Sequence, residues 1–212
     1  MVVGEDLGTV TPAIRQKLDA AGLLSYRLLF FEREEKGAMK QPNAYPEQAL
    51  VAATTHDLPT LKGFWMGRDI TIKEKAGLYP RKEVIDQYWR MRAEDRRRLW
   101  EALRLEGLSP TDDMPLRVSH DMLQAIYRYL ARTPSRLLMV QLEDLLAELD
   151  TPNLPGALDS VYPSWRVRVS RELNEWLSDS AIRRFAHAIL RERRRGGTIY
   201  GKRQASGSSG SP

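Results

Sequence analysis

The stretch Leu50-Val-Ala-Ala-Thr-Thr-His-Asp57 decides how this chain is read. Four apolar residues run straight into Thr-Thr-His-Asp with no room for a helix, and such a run reads as a buried strand. Val2-Val-Gly-Glu-Asp-Leu-Gly8 repeats the pattern near the start, an apolar pair leading into Glu5 and Asp6. Carboxylates just past the C-terminal ends of parallel strands sit where α/β folds place their chemistry. If the two strands are near neighbours in a barrel, Glu5 and Asp57 converge on one pocket. The plain alternative is helix capping. Asp57 precedes Leu58-Pro59-Thr60 and Glu5-Asp6 precede Thr11-Pro12, so either could serve a helix start. Residue types alone leave both readings open.

Outward from these two runs the chain alternates. Thr11-Pro12 opens a short helix with Ile14 and Leu18 four apart, closed at Gly22. Tyr26-Arg-Leu-Leu-Phe-Phe31 reads as the next strand. Residues 32–49, with Gly37, Pro42 and Pro46, form a long loop that in a barrel projects over the catalytic mouth. Asp57 to Met66 is a loop or a short helix. Pro80 to Glu106 is helical, with Val84, Ile85, Tyr88, Trp89, Leu99, Trp100 and Leu103 on one face. Ser119 caps a helix bearing Leu123, Ile126, Tyr127 and Leu130, which Pro134 ends. Leu137-Leu-Met-Val140 is a strand and Glu143 to Leu149 a short helix. Trp165-Arg-Val-Arg-Val169 fits a strand or a helix start equally. Leu173, Trp176 and Leu177 mark one further helix, and Ile182, Phe185, Ile189 and Leu190 the last. Strand, helix, strand, loop, strand, helices, strand, helix is half of an alternating α/β pattern with helices inserted before the final strand.

The 212 residues, 42% hydrophobic and 29% charged, are those of an ordinary globular chain. No window approaches the roughly 20 apolar residues of a spanning helix, and the start lacks a signal-peptide layout, so a cytoplasmic location without membrane contact is expected. With no cysteine there is no disulfide or thiolate metal site. His56, His120 and His187 lie too far apart to suggest a metal, and no cofactor is implied. The net charge of +5 is concentrated late, in Arg183-Arg184, Arg191-Glu-Arg-Arg-Arg195 and Lys202-Arg203. A basic nucleic-acid-binding module is one reading of that terminus, but there is no aromatic interleaving of the kind a single-strand platform needs, and a solvated helix face explains the charges.

Three motifs carry a resemblance. They are Gly4-Glu-Asp-Leu-Gly-Thr-Val-Thr-Pro12, Ala44-Tyr-Pro-Glu-Gln-Ala-Leu-Val-Ala-Ala-Thr-Thr-His-Asp-Leu-Pro-Thr-Leu-Lys-Gly-Phe-Trp65 and Asn153-Leu-Pro-Gly156. In that order, from the first residues to about residue 190, the chain resembles the amylomaltases, the 4-α-glucanotransferases of glycoside hydrolase family 77. The resemblance implies the C-terminal half of a (β/α)8 TIM-type barrel, beginning at about the fifth strand. Residues 1–195 would be that part of the catalytic barrel and 196–212 a flexible tail, ending in the linker-like Ser206-Gly-Ser-Ser-Gly-Ser211. It further implies transfer of α-1,4-glucan segments by disproportionation, with malto-oligosaccharides and glucose as donor and acceptor. Glu5 would be the general acid and base, and Asp57 the acid that stabilises the transition state. His56, Asp6 and Asn153 would bind sugar, though Asn153 reads nearly as well as a turn residue before Pro155. An α-glucan hydrolase of the amylase type shares the same Glu and His-Asp logic.

Family members carry their nucleophile as an aspartate within an Arg-x-Asp-His sequence on the strand preceding the acid. These 212 residues contain no such sequence, and Asp112, Asp113 and Asp144 lie in other contexts. The chain is therefore expected to be inactive alone, as a truncation product or partial gene whose missing half is supplied by a complementing N-terminal chain, unless the fragment pairs with itself or is marginally stable. Four parallel strands also leave two unpaired edges. Trp65, Trp100, Trp165 and Trp176 invite sugar stacking; helix spacing assigns Trp100 and Trp176 to the core, while Trp65 stays open and Tyr45 is a candidate for the acceptor side.

Overall fold

The computed structural model describes residues 1–176 and 178–205, with backbone alone for 195–205. Its centre is a parallel four-stranded sheet in the order β1 (Val3–Gly4), β2 (Leu24–Leu28), β3 (Ala49–Ala52), β4 (Leu137–Met139). Consecutive strands are neighbours, so each connection must cross from one end of the sheet to the other. Helix α1 (Pro12–Ala20) makes the first crossing, and residues 29–48 make the second with only a single 3-10 turn, Pro42–Ala44. Four helices make the third: α2 (Leu61–Met66), α3 (Arg68–Lys75), α4 (Lys82–Leu105) and α5 (His120–Ala131). After β4 come α6 (Leu142–Leu145), α7 (Leu173–Trp176) and α8 (Ser180–Ala205). Among the described residues no helix is long and apolar enough to cross a membrane.

Pairing register sorts the strand residues by face. Tyr26 lies beside Leu50 and Leu50 beside Leu137, while Leu28 lies beside Ala52. These, with Leu7 and Leu58 over them, form a small apolar cluster on one face. Val51, Ala53 and Leu138 point the other way, into a large core beneath the helices. There Trp65, Leu103, Met122, Leu123, Tyr127, Tyr129 and Leu130 are fully buried, and Phe185 of α8 closes over them. Tyr127 also serves as a polar hub. Its hydroxyl donates to Asp144, whose other oxygen accepts the Leu61 N–H at 2.6 Å, so one buried carboxylate joins α5 to the start of α2.

Several expectations change. The strand expected at Tyr26–Phe31 runs Leu24–Leu28 instead, because the chain turns there: the Phe31 and Glu32 N–H groups both return to the Leu28 carbonyl. Phe30 thereby leaves the sheet and stacks on Phe64 at 4.3 Å. The loop expected over the catalytic mouth is folded down, with Met39 and Tyr45 in the helix-side core, so Tyr45 is not available to line an acceptor site. Trp65 is core too, 1% exposed, its indole N–H held by the Pro115 carbonyl. Helix α3 was not anticipated. The helix expected over Glu143–Leu149 is a short turn, Leu142–Leu145. Trp165 to Val169 is neither strand nor helix. α8 continues past the expected tail boundary at 196 to Ala205; Leu177 and Ser206 to Pro212 lie outside the described residues.

Candidate active site

The site grows out of the end of β3. Ala49 to Thr54 are buried, and the chain must then turn outward, because the next side chains are polar. Thr54 makes the turn by donating its hydroxyl to the Pro59 carbonyl at 2.9 Å, and the Leu58 N–H returns to Thr55. His56 and Asp57 occupy the tip and are exposed. Asp57 caps nothing. Thr60 is the cap of α2, accepting the Gly63 N–H at 2.9 Å, which disposes of the capping alternative for Asp57. Nor does Asp6 cap α1, which begins after Thr11 without a side-chain cap.

A second segment is fastened to this tip. Thr151 is buried and donates its hydroxyl to the carbonyls of both His56 (2.9 Å) and Leu58 (2.7 Å). The Asn153 N–H donates to the His56 carbonyl at 3.2 Å. With its backbone fixed, the Asn153 amide donates to Asp57 Oδ1 at 2.6 Å. The imidazole Nε2 of His56 lies 3.4 Å from the same oxygen. Three residues from two segments, ninety-odd positions apart, thus meet at one carboxylate. An indole that the sequence left unassigned joins them: Trp165 stands 5.0 Å from the His56 ring, at an interplanar angle of 46°.

The approach of the 148–154 segment depends on Gly63. A Cβ there would meet the Leu149 carbonyl oxygen at 2.6 Å, closer than real Cβ contacts come. The missing side chain lets Thr60 reach the Glu148 carbonyl at 2.8 Å. Arg68 of α3 adds an ion pair to Asp150 at 2.6 Å. Ile72, also on α3, packs with Leu154 and Tyr162 in a separate apolar cluster. The unanticipated helix is therefore the buttress of the Asn153 segment.

Glu5 and Asp6 follow β1, at the same end of the parallel sheet as His56-Asp57, with β2 between them. Two strand spacings are about 10 Å. Continuing the register Val3 to Leu24 and Gly4 to Ser25 brings Glu5 beside Tyr26, on the face of Leu50. Glu5 is exposed there. The Tyr26 phenol is raised above its ordinary range, by burial first and the Glu5 charge second. Asp6 faces the other way and is 2% exposed. Its Oδ1 accepts the Tyr26 N–H at 2.7 Å, and its Oδ2 lies 3.4 Å from Arg27 and 3.8 Å from Arg15. Of the five site residues named from the sequence, the structure groups His56, Asp57 and Asn153, puts Glu5 exposed at the same end of the sheet, and sets Asp6 on the opposite face, bonded to the Tyr26 N–H and beside Arg27 and Arg15.

Comparison with known proteins gives this geometry a lineage. The glycoside hydrolase family 77 model, described as 4-alpha-glucanotransferase, matches residues 1–174. The 4-alpha-glucanotransferase of Haemophilus influenzae is 33% identical over 189 residues, covering 87% of this chain and 27% of that protein. That of Mycobacterium tuberculosis is 40% identical over 172 residues, covering 79% and 23%. Among solved structures, the amylomaltase from Corynebacterium glutamicum superposes with a TM-score of 0.77 at 26% identity, covering 89% of this chain and 28% of that one. The chain thus spans about a quarter of the length of the curated relatives it matches. With the family model matched from the first residue through the loop that carries Asn153, the chain belongs to the 4-alpha-glucanotransferase family of glycoside hydrolase family 77.

Proposed function

We propose that this chain carries the acid–base and sugar-holding side of a site that transfers α-1,4-glucan segments between malto-oligosaccharides. The observation that carries the reading is the convergence of His56 and Asn153 on the exposed Asp57 carboxylate, at the sheet end that also bears Glu5. In a retaining mechanism Glu5 protonates the glycosidic oxygen as the C–O bond breaks and the sugar passes to a carboxylate nucleophile. It then takes the proton from the 4-hydroxyl of the incoming glucan or glucose, which displaces that carboxylate. Asp57, oriented by Asn153, faces the positive charge that develops on the sugar, and His56 binds a hydroxyl of the same ring. Asp6 acts here by fixing the backbone that presents Glu5. Choosing a sugar over water as acceptor makes the reaction a transfer, so water exclusion belongs to the function.

The fold supports a further part of the reading. A parallel sheet whose strands lie in chain order, with crossovers between them, is the arrangement of half a (β/α)8 barrel. β1 and β4 are then the edges at which the other half joins, and residues 1–195 form the barrel portion, beyond which α8 runs on to Ala205. The nucleophile aspartate belongs to the strand next to β1, supplied by a complementing N-terminal half. The absence of cysteine suits a cytoplasmic setting. The test is to incubate the pure chain with maltotriose and separate the products. No glucose or longer oligosaccharide is expected from the chain alone, and a ladder of both once the preceding barrel strands are added as a second polypeptide. Sustained disproportionation by the chain alone would overturn the missing nucleophile; shorter products only, from the complemented protein, would mark a hydrolase.

A further inference from the structure

Trp165 is held in a way that packing does not explain. Of the chain's five tryptophans it is the only exposed one, at 66%, while Trp65 and Trp100 are core and Trp89 and Trp176 are half-buried. Its backbone sits at φ +63°, a left-handed conformation that is a genuine outlier for a bulky side chain. Such strain persists only where the surroundings over-determine it, and here they do. The Trp165 N–H donates to the Pro152 carbonyl at 2.8 Å, so residues 152–165 close into a compact loop. Inside the loop the Ser164 hydroxyl accepts the Leu154 N–H at 3.2 Å, and the buried Tyr162 hydroxyl donates to the Thr151 carbonyl. One of these bonds holds Thr151 itself and the other two hold Pro152 and Leu154, on either side of Asn153; Thr151 and Asn153 are the two residues fastened to His56 and Asp57. The strained backbone therefore presents an exposed indole directly beside the sugar-binding cluster, braced on one side by the His56 ring.

We propose that Trp165 is a saccharide platform: the open face of its indole receives the apolar face of the glucose unit next to the one held by His56 and Asp57. A pyranose ring carries its C–H groups on one face, and their slight positive charge meets the negative face of an aromatic ring, while burial of both surfaces adds the hydrophobic term. An α-1,4-glucan offers such a face at every unit, so a platform one unit from the reacting sugar reads chain length. The inference rests on the site reading above and adds a residue and a specificity to it.

The experiment uses the whole 212-residue chain with maltoheptaose as probe. Binding is followed by calorimetry and by tryptophan emission, with thermal unfolding run on each variant. The wild type is expected to bind at millimolar concentration with a change in emission that Trp165→Phe abolishes. Trp165→Ala should weaken binding by about tenfold, and Trp165→Phe should recover most of that loss. Asp57→Asn should weaken binding as well. Loss in Asp57→Asn with none in Trp165→Ala overturns the platform and leaves the site standing. Loss in Trp165→Ala with none in Asp57→Asn, or no glucan binding by the wild type, overturns the site reading on which the platform depends. An emission change of equal size in Trp165→Phe also overturns the platform, because the reporter is then another indole.

Discussion

Glu5 and Asp57 follow strands that are held very differently. All four residues of β3 are buried, and the turn beyond it is stapled by Thr151, Asn153 and the Thr60 cap. β1 has two residues, Val2 beside it is 59% exposed, and α1 buries none of its nine residues. By contrast α5, on the β3 side, buries eight of its twelve. The Asp57 side of the site is thus preorganised by contacts within the chain, whereas Glu5 sits on an edge strand with one neighbour. An acid whose job depends on distance to other groups needs its strand fixed on both sides. Among the described residues no strand lies on the other side of β1.

The strongest challenge to this contrast is catalytic. In the complemented protein, Glu5→Gln should lower transfer by about 10²–10⁴-fold, the usual contribution of general acid–base catalysis, measured as initial glucose release from maltotriose. An unchanged rate would remove Glu5 from the chemistry and the contrast with it. Next in size, Leu130→Ala in α5 should cost about 2–5 kcal/mol in urea unfolding, since Leu130 is completely buried. A cost near zero would mean that the β3 side is no better packed than the edge.

Two buried carboxylates on the well-packed side should give it opposite pH signatures. Burial, only partly offset by the Leu61 N–H and the Tyr127 hydroxyl, raises Asp144 from 3.8 to about 7. Its folded form holds a proton that the unfolded chain has lost, so its contribution falls as pH rises, by about 2 kcal/mol between roughly pH 5 and pH 7. Asp144→Asn should flatten that part of the stability profile. Burial also pushes Glu192 of α8 upward, but the guanidinium groups of Arg128 and Arg132 outweigh it and hold the carboxyl below its ordinary 4.5. Its contribution is full above that ordinary value and is lost as pH falls through the lowered one. Glu192→Gln should therefore cost about 1–2 kcal/mol at neutral pH and progressively less in acid, read by thermal unfolding.

The smallest effect sharpens the contrast most. Ile14 of α1 is 48% exposed, and Ile14→Ala should change the stability of the chain by less than about 0.5 kcal/mol. The same substitution should weaken assembly with a complementing N-terminal half if the edge becomes an interface. No effect in either measurement would place the joining surface elsewhere.

Much of this was legible in the chain itself. The run ending at Asp57 named its strand because four consecutive buried apolar residues have no other short solution, and the polar residues after it had to leave the core. The Glu5 and His56-Asp57 motifs named the family, and periodicity found α4 and α5 because each has one apolar face. Less could be read where local pattern and tertiary need diverge. Phe30 belongs to an apolar run yet abandons the sheet for Phe64. α3 has a weak apolar stripe, and only the apposition of Ile72 to Leu154 and Tyr162 gives it a purpose. Glu5 and Asp6 are adjacent and chemically alike, but the alternation of strand faces sends one to the face of Tyr26 and Leu50 and the other to Arg27.

Sequence by itself therefore determined the parallel α/β pattern, the position of the acids at strand ends and the family. Burial of consecutive apolar residues and the chemistry of carboxylates are local properties that a linear motif records. Tertiary structure alone decided that Asn153 bonds Asp57, that Trp165 stands beside His56, and that Asp6 turns to the Tyr26 N–H and Arg27. Each of those depends on a contact between segments distant in the chain, and such a contact is set by packing and hydrogen bonding across the fold rather than by any neighbouring residue.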